Sequence, residues 1–369
     1  MIFNFSTALR LLCLLGLSVV SLSAQARQDD GPYLTVDGKH LDAKWLCDGK
    51  LIQKQLSPVT GVEVPVQCGY LQSITVREQQ KDFPVEHRFQ ANKIAALSDI
   101  HGQYASMKTL LQKHGVIDEQ LRWSFGSGHL VITGDILDRG DQATDALWLL
   151  YSLEQQAKQH GGALHVLLGN HEVMVMANDL RYVHPKYLKV AQQLGREYHE
   201  LFSEQTILGR WLRSKPVIIQ VNDSLFMHAG LHPDILKLKM TIPQINEAFR
   251  SSLGLAKTEI KAQETLSFLY GSSGPIWYRG YFTTPTLPSA ELEPLLQAFQ
   301  VKRIVVGHTT GPMIHTRLDG KVVAIDGNIK SGKNGEILLF EAGIWTRGNL
   351  AGERLELSEA PVRSDAVAK

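Results

Sequence analysis

The residues of this chain with the greatest chemical capacity stand at the ends of apolar runs. Five such runs stop at Asp99-Ile100-His101, Asp135, Asn170-His171, His228 and His308. One histidine in such a place is ordinarily a hydrogen-bonded core residue. Five run ends carrying carboxylate, imidazole or amide groups, with no cysteine beside them, fit two divalent ions held by oxygen and nitrogen. Mn, Zn, Fe and Mg are all admissible to such donors. Asp99 and His101 alternate along an extended segment and can face one ion. Asp135 can offer an oxygen to each of two ions, and Asn170 adds a neutral carbonyl that spares a phosphate extra negative charge. His228 and His308 would complete the second ion's shell. Gly134, Gly169 and Gly307 directly precede three of these ligands and allow close backbone approach.

Elements of two kinds must position them. KIAALS leads to Asp99 and is followed by the helical pattern YASMKTLLQKH; HLVITG leads to Asp135 and is followed by TDALWLLYSLEQQAKQ; ALHVLLG leads to Asn170 and His171. This alternation predicts a layered α/β core. In such a core the carboxyl ends of strands gather distant residues into one crevice. SLFM delivers His228 and RIVVG delivers His308. The main domain is expected over 91–345, with helical insertions near 172–215 and 241–300. A terminal strand and polar tail follow at 346–369. Residues 27–90 read as a small β-rich appendage, with short runs separated by Gly and Asp.

The first 26 residues read as a signal peptide. Arg10 precedes the run LLCLLGLSVV, and Ala24-Gln25-Ala26 places small residues where a signal peptidase reads them. The run is too short to span a bilayer comfortably, so no stable membrane anchor is expected. Export, with a periplasmic location, is the expectation. It leaves Cys47 and Cys68 in an oxidising compartment, as a disulfide or as two buried thiols. A bridge would stabilise the fold by about 3 kcal/mol through chain entropy. The 38 Lys and Arg balance 37 Asp and Glu. With no clustered basic tract, nucleic acid is not an expected partner.

The ordered set DIHG (99–102), GDILDRG (134–140), GNHE (169–172), HAG (228–230) and GHT (307–309) resembles the calcineurin-like metallophosphoesterase superfamily. GDILDRG resembles its phosphoprotein phosphatase branch. With export, the appendage and GPIWYRGY (274–281), the chain is most similar to the Shewanella-like protein phosphatases. The resemblance implies a β-sandwich core flanked by helices. It also implies one metal on Asp99, His101 and Asp135, and a second on Asp135, Asn170, His228 and His308. Arg139 would bind the substrate phosphate, and His171, oriented by Asp138, would protonate the leaving group. These roles make physical sense. Two ions about 3.5–4 Å apart activate a water as hydroxide and brace phosphoryl oxygens for in-line attack. A histidine beside a ligand can protonate the departing oxygen, and a guanidinium matches phosphate geometry.

Arg279 has two readings: a second phosphate-binding guanidinium, or an ordinary ion pair. In the first, Trp277, Tyr278 and Tyr281 around it shape an aromatic rim, which favours phosphotyrosine among phosphoprotein substrates; in the second, they pack a loop. The SAPNY-like segment of the eukaryotic phosphoprotein phosphatases is missing, and AIDGN (324–328) stands instead. Asp326 there either supports His308 or shapes a turn. Two alternatives accompany the protein phosphatase reading. One is a hydrolase of nucleotides or dinucleoside polyphosphates, whose motifs are similar. The other is a metal-containing binding protein, for which Asp138, Arg139 and His171 would be surplus.

Overall fold

The strand Lys93–Leu97 shows how the core is divided. Ile94 and Ala96 pack among Ile219, Val221, Phe226 and Val305, whereas Ala95 and Leu97 join a second core with Met107 and Leu110. Strands buried on both faces in this way are nearly continuous in apolar residues, as the runs in the sequence are. The computed structural model describes residues 29–68, 73–77, 87–283 and 285–359. The expected signal peptide (1–26) and the end of the polar tail lie outside the described residues.

Two six-stranded sheets face each other across the first of these cores. One runs in the order Arg354–Glu356, Ile344–Asn349, Glu336–Glu341, Lys93–Leu97, His129–Ile132, Ala163–Val166. Its last three strands are parallel and in step, with Leu97 opposite Ile132 and Ile132 opposite Val166. The other sheet runs His315–Arg317, Val322–Ala324, Arg303–Val306, Ser224–Met227, Ile218–Val221, Arg88–Phe89. There Met227 lies opposite Val306, and Val306 opposite Ala324. Both sheets therefore end their parallel strands at one level, and every expected ligand follows one of those ends. Helices Tyr104–Lys113 and Ala143–Gln159 make the crossovers of the first sheet. The fold is the α/β sandwich flanked by helices that the motifs implied.

The segment 172–215 is helical, with Pro185–Leu194 and Ile207–Arg213, as is 241–300, with Ile242–Ser252 and Ser289–Phe299. At the amino end, Asp30–Asp37, His40–Cys47 and Lys50–Leu56 form a separate antiparallel sheet. Its second hairpin turns on Asp48 and Gly49, both at positive φ (50° and 73°). That is the conformation for which Asp-Gly is suited. Cys47 and Cys68 are joined as a disulfide, closing a separation of 21 residues. Among the described residues no helix is long and apolar enough to cross a membrane.

Candidate metal centre

Every ligand candidate except Asn170 sits on a short loop just beyond a strand, where the backbone bends sharply. Asp99, His101, Asp135 and His308 all have positive φ (52°, 47°, 56° and 62°). Non-glycine residues avoid this region, and concentrations of such strain mark functional sites. Gly134 shows how tightly the loops approach: a Cβ there would collide with the backbone of Gly169. One reading of the sequence needs adjustment. The strand Ala163–Val166 stops short of Asn170, and Asn170 and His171 open a helix, Asn170–Met176. Glu172 ends the strand-like course by accepting the Gly169 N–H (2.8 Å) at that helix's start.

Two groups of buried donors share Asp135. In the first, His101 Nε2 lies 3.8 Å from Asp99 Oδ1 and 3.5 Å from Asp135 Oδ2. In the second, His228 Nε2 lies 3.2 Å from Asp135 Oδ2, 2.9 Å from Asn170 Oδ1 and 3.2 Å from His308 Nδ1. Backbone carbonyls orient both rings from behind, since His101 Nδ1 donates to Leu137 O and His228 Nδ1 to Thr133 O (both 2.9 Å). Such outer contacts leave Nε2 facing inward, the usual arrangement of a metal-binding histidine. One proton on His228 Nε2 could satisfy only one of the three acceptor atoms around it, whereas a divalent cation satisfies all three. The charges show the same need. Burial, with Asp326 and Asp135 nearby, pushes Asp99 up to about 7. Burial opposes a charged His228, yet Asp135 and Asp99 raise it to about 9. Burial holds His101 down at about 3, and burial with His228 and Arg279 holds His308 at about 2, so both rings keep a lone pair. The donor set fits divalent ions.

Beside these groups lies a second constellation. His171 Nδ1 is 2.6 Å from Asp138 Oδ2, and its Nε2 faces the cluster at 3.8 Å from Asp135 Oδ2. Burial lowers the His171 pKa, but the Asp138 hydrogen bond and Asp135 outweigh it and the net shift is upward. Asp138 and Arg139 are consecutive left-handed residues (φ 70° and 65°), which turns the carboxylate inward and leaves Arg139 exposed. Arg279, also exposed, donates to His308 O (3.1 Å) and Thr309 Oγ1 (3.2 Å), so it stands at the rim of the same cleft. These two contacts are not an ion pair.

Residues 92–312 match the calcineurin-like phosphoesterase family. The chain belongs to that family. It is similar to Shewanella-like protein phosphatase 1 of Plasmodium berghei, 28% identical over 60% of this chain and 62% of that one. It is also similar to Shewanella-like protein phosphatase 2 of Arabidopsis thaliana, 26% identical over 65% and 72%. Among solved structures, the cold-active protein-tyrosine phosphatase of a psychrophilic Shewanella species superposes with a TM-score of 0.85. That pair is 41% identical, over 89% of this chain and 99% of the other. The resemblance read from the motifs is thus borne out. This calcineurin-like phosphoesterase is a metal-dependent phosphatase, and its buried donors answer the family's requirement for divalent ions.

The expected aromatic rim is corrected in part. Tyr281 is fully buried, and its hydroxyl is spent on the Leu231 backbone (2.8 Å to the carbonyl). Tyr278 packs edge-on against it, 5.0 Å between centroids. Only Trp277 of the three stands by the site, its ring 5.7 Å from that of His308. The reason is burial: the loop has one face on the core, and the two tyrosines take it. The site's exposed aromatic is Tyr182, which sequence reasoning missed. It is 42% exposed, with its ring 5.1 Å from His171 and under the Arg139 guanidinium at 5.2 Å. Asp326 does not support His308; it accepts from Thr310 Oγ1 (2.6 Å) and the Asn328 N–H (3.1 Å), a turn role. Glu172 was also missed. It is fully buried and accepts the N–H groups of Asp135, Ile136, Leu137 and Gly169 at 2.7–3.1 Å. A Glu two residues after a candidate ligand, at the start of a helix, was the available signal.

Proposed function

We propose that the chain is a dinuclear metal-dependent phosphomonoesterase of phosphorylated proteins, with a preference for phosphotyrosine. The observation that carries this reading is that His101 and His171 on one side and His228 and His308 on the other meet at Asp135, with Asp99 beside His101 and Asp138 on His171. Asp99, His101 and Asp135 would hold one ion, and Asp135, Asn170, His228 and His308 the other. When bound, the two ions supply Lewis acidity, activating a water and bracing the phosphoryl oxygens.

The remaining work falls to the chain's own side chains. Arg139, pointing outward from the loop, binds two oxygens of the substrate phosphate, and Arg279 approaches from the opposite rim. His171 holds a proton on Nε2 and delivers it to the departing oxygen, while Asp138 fixes the proton on Nδ1. A phenoxide ring leaving past His171 meets Tyr182 on one side and Trp277 on the other, and both offer π surface. Similarity to a protein-tyrosine phosphatase of known structure supports the same preference. Export to the periplasm belongs to this proposal too. Its support is Ala24-Gln25-Ala26 behind an apolar run, together with the Cys47–Cys68 disulfide, a bond typical of oxidising compartments.

Turnover of matched phosphotyrosine, phosphoserine and phosphothreonine peptides, with a dinucleoside tetraphosphate alongside, tests the function. Fastest hydrolysis of the phosphotyrosine peptide is expected. Preference for an alkyl phosphate would overturn the tyrosine assignment, and efficient nucleotide release with poor peptide turnover would favour the nucleotide hydrolase reading. Intact-mass measurement of exported protein tests the localisation, with a start near Arg27 expected and a full-length mass contradicting it.

A further inference from the structure

Arg139 and Asp138 occupy an unfavourable backbone, and something must hold it. Left-handed conformations of non-glycine residues persist only where the surroundings over-determine them. On one side the loop is pinned to the metal loops: the Gly140 N–H donates to His101 O (2.9 Å) and the Gln142 N–H to Gly102 O (3.2 Å). On the other side the Arg139 N–H donates to Tyr182 O (2.9 Å), and two further pins come from the helix that follows. Lys186, at the start of the helix Pro185–Leu194, donates from Nζ to the Asp141 carbonyl at 2.7 Å. The next residue, Tyr187, receives the N–H of Ala143 at 2.6 Å and that of Thr144 at 3.3 Å on its hydroxyl.

Lys186 is in turn held by the amino-terminal sheet. Its Nζ lies 2.7 Å from Asp30 Oδ2, a carboxylate with no solvent exposure. Asp30 Oδ1 accepts from the Gly31 N–H (2.8 Å) and from Tyr33 Oη (3.0 Å). With the Tyr33 proton committed to Asp30, the 3.3 Å contact between Tyr33 Oη and Thr144 Oγ1 is a donation from Thr144. A continuous polar network thus runs from the first strand of the appendage, through a buried ion pair, to the carbonyl two residues beyond Arg139.

We propose that Asp30 and Lys186 are positioning residues for the phosphate loop, and that the amino-terminal sheet is thereby a working part of the catalytic apparatus. The pair keeps Asp138 on His171 and Arg139 over the substrate by clamping the Asp141 carbonyl from the side away from the metals. The inference rests on the roles given above to Asp138, Arg139 and His171.

The test uses Lys186→Met, Asp30→Asn and the double variant, with Leu292→Ala, at a buried position of the helix Ser289–Phe299 outside the site, as a control for general loss of stability. Each single change breaks the ion pair and should lower Tm, whereas the double variant removes both of its charges and should recover much of it. Turnover should not recover with it. Lys186→Met and the double variant should both lose on the order of 10- to 100-fold in kcat, as misplaced catalytic groups do. The loss should be greater for an alkyl phosphate than for an activated aryl phosphate, because His171 loses its orienting partner. Should Lys186→Met fail to fold, the double variant carries the comparison. Turnover within twofold of wild type in the double variant, or a Leu292→Ala loss of the same size and leaving-group dependence, would overturn the proposal. Wild-type inactivity toward all phosphomonoesters, or an unaffected Arg139→Ala variant, would instead indict the function on which it rests.

Discussion

Replacing Glu172 by Gln removes a charge and almost no volume, so its effect separates the polar interactions beneath the candidate metal loops from packing. Oε1 accepts the N–H groups of Ile136 (2.7 Å) and Leu137 (3.1 Å); Oε2 accepts those of Asp135 and Gly169 (both 2.8 Å). In Gln one of these oxygens becomes an NH2 group, turning two of the four bonds into donor–donor contacts. At roughly 1–3 kcal/mol for each buried donor left without a partner, the loss is roughly 2–6 kcal/mol. Burial and the neighbouring Asp135 raise the Glu172 pKa, so removing its charge returns some repulsion energy and places the expectation in the lower half of that range. Glu172→Ala orphans all four donors, and against a typical total stability of about 5–15 kcal/mol it should scarcely fold. Equilibrium urea denaturation gives the measurement, with unchanged m-values confirming the same transition. A Glu172→Gln loss below about 0.5 kcal/mol, the size of an ordinary surface change, would mean that these four bonds do not hold the loops.

His171→Ala should slow hydrolysis of an alkyl phosphate far more than that of an activated aryl phosphate, which needs little proton donation. Arg139→Ala should slow both alike, and equal leaving-group dependence in wild type and His171→Ala would remove the general-acid role. Stability should also fall in acid through Glu154. Burial works against its charge, but Lys215 and Arg77 outweigh that and depress it from 4.5 to about 2. A depressed carboxylate stabilises the fold above its unfolded pKa, so this contribution is present above about 4.5 and disappears as the pH falls toward about 2. Denaturation across that window should show a steeper acid limb in wild type than in Glu154→Gln, and parallel limbs would contradict the assignment.

The candidate ligands could be picked out because each is a metal-binding residue type at the end of an apolar run, and in-register parallel strands place such ends at one level. Asp138 and His171 needed only the short GDILDRG and GNHE segments to be linked. The aromatic wall was not legible. Trp277, Tyr278 and Tyr281 are neighbours in sequence, but which of them faces the cleft depends on how the loop packs, and Tyr182 reaches His171 only because the segment 172–215 folds back over it. Asp326 was ambiguous for a similar reason: it lies just past the strand Val322–Ala324, whose neighbour leads to His308, and only its partners, Thr310, Asn328 and Lys330, decide its role. The Asp30–Lys186 pair joins parts of the chain with no shared motif, and neither residue is distinguished by its neighbours in sequence.

On the proposed function, activity requires two ions meeting at Asp135. Chelated protein reconstituted with increasing Mn2+, with bound metal and phosphotyrosine-peptide turnover measured on the same samples, tests it most directly. In wild type, turnover should rise chiefly with the second equivalent of bound metal. Asp135→Asn should bind fewer than two ions and lose nearly all turnover while remaining folded. Full wild-type activity at one equivalent or none, or an Asp135→Asn protein that keeps two ions and near-normal turnover, would contradict the account.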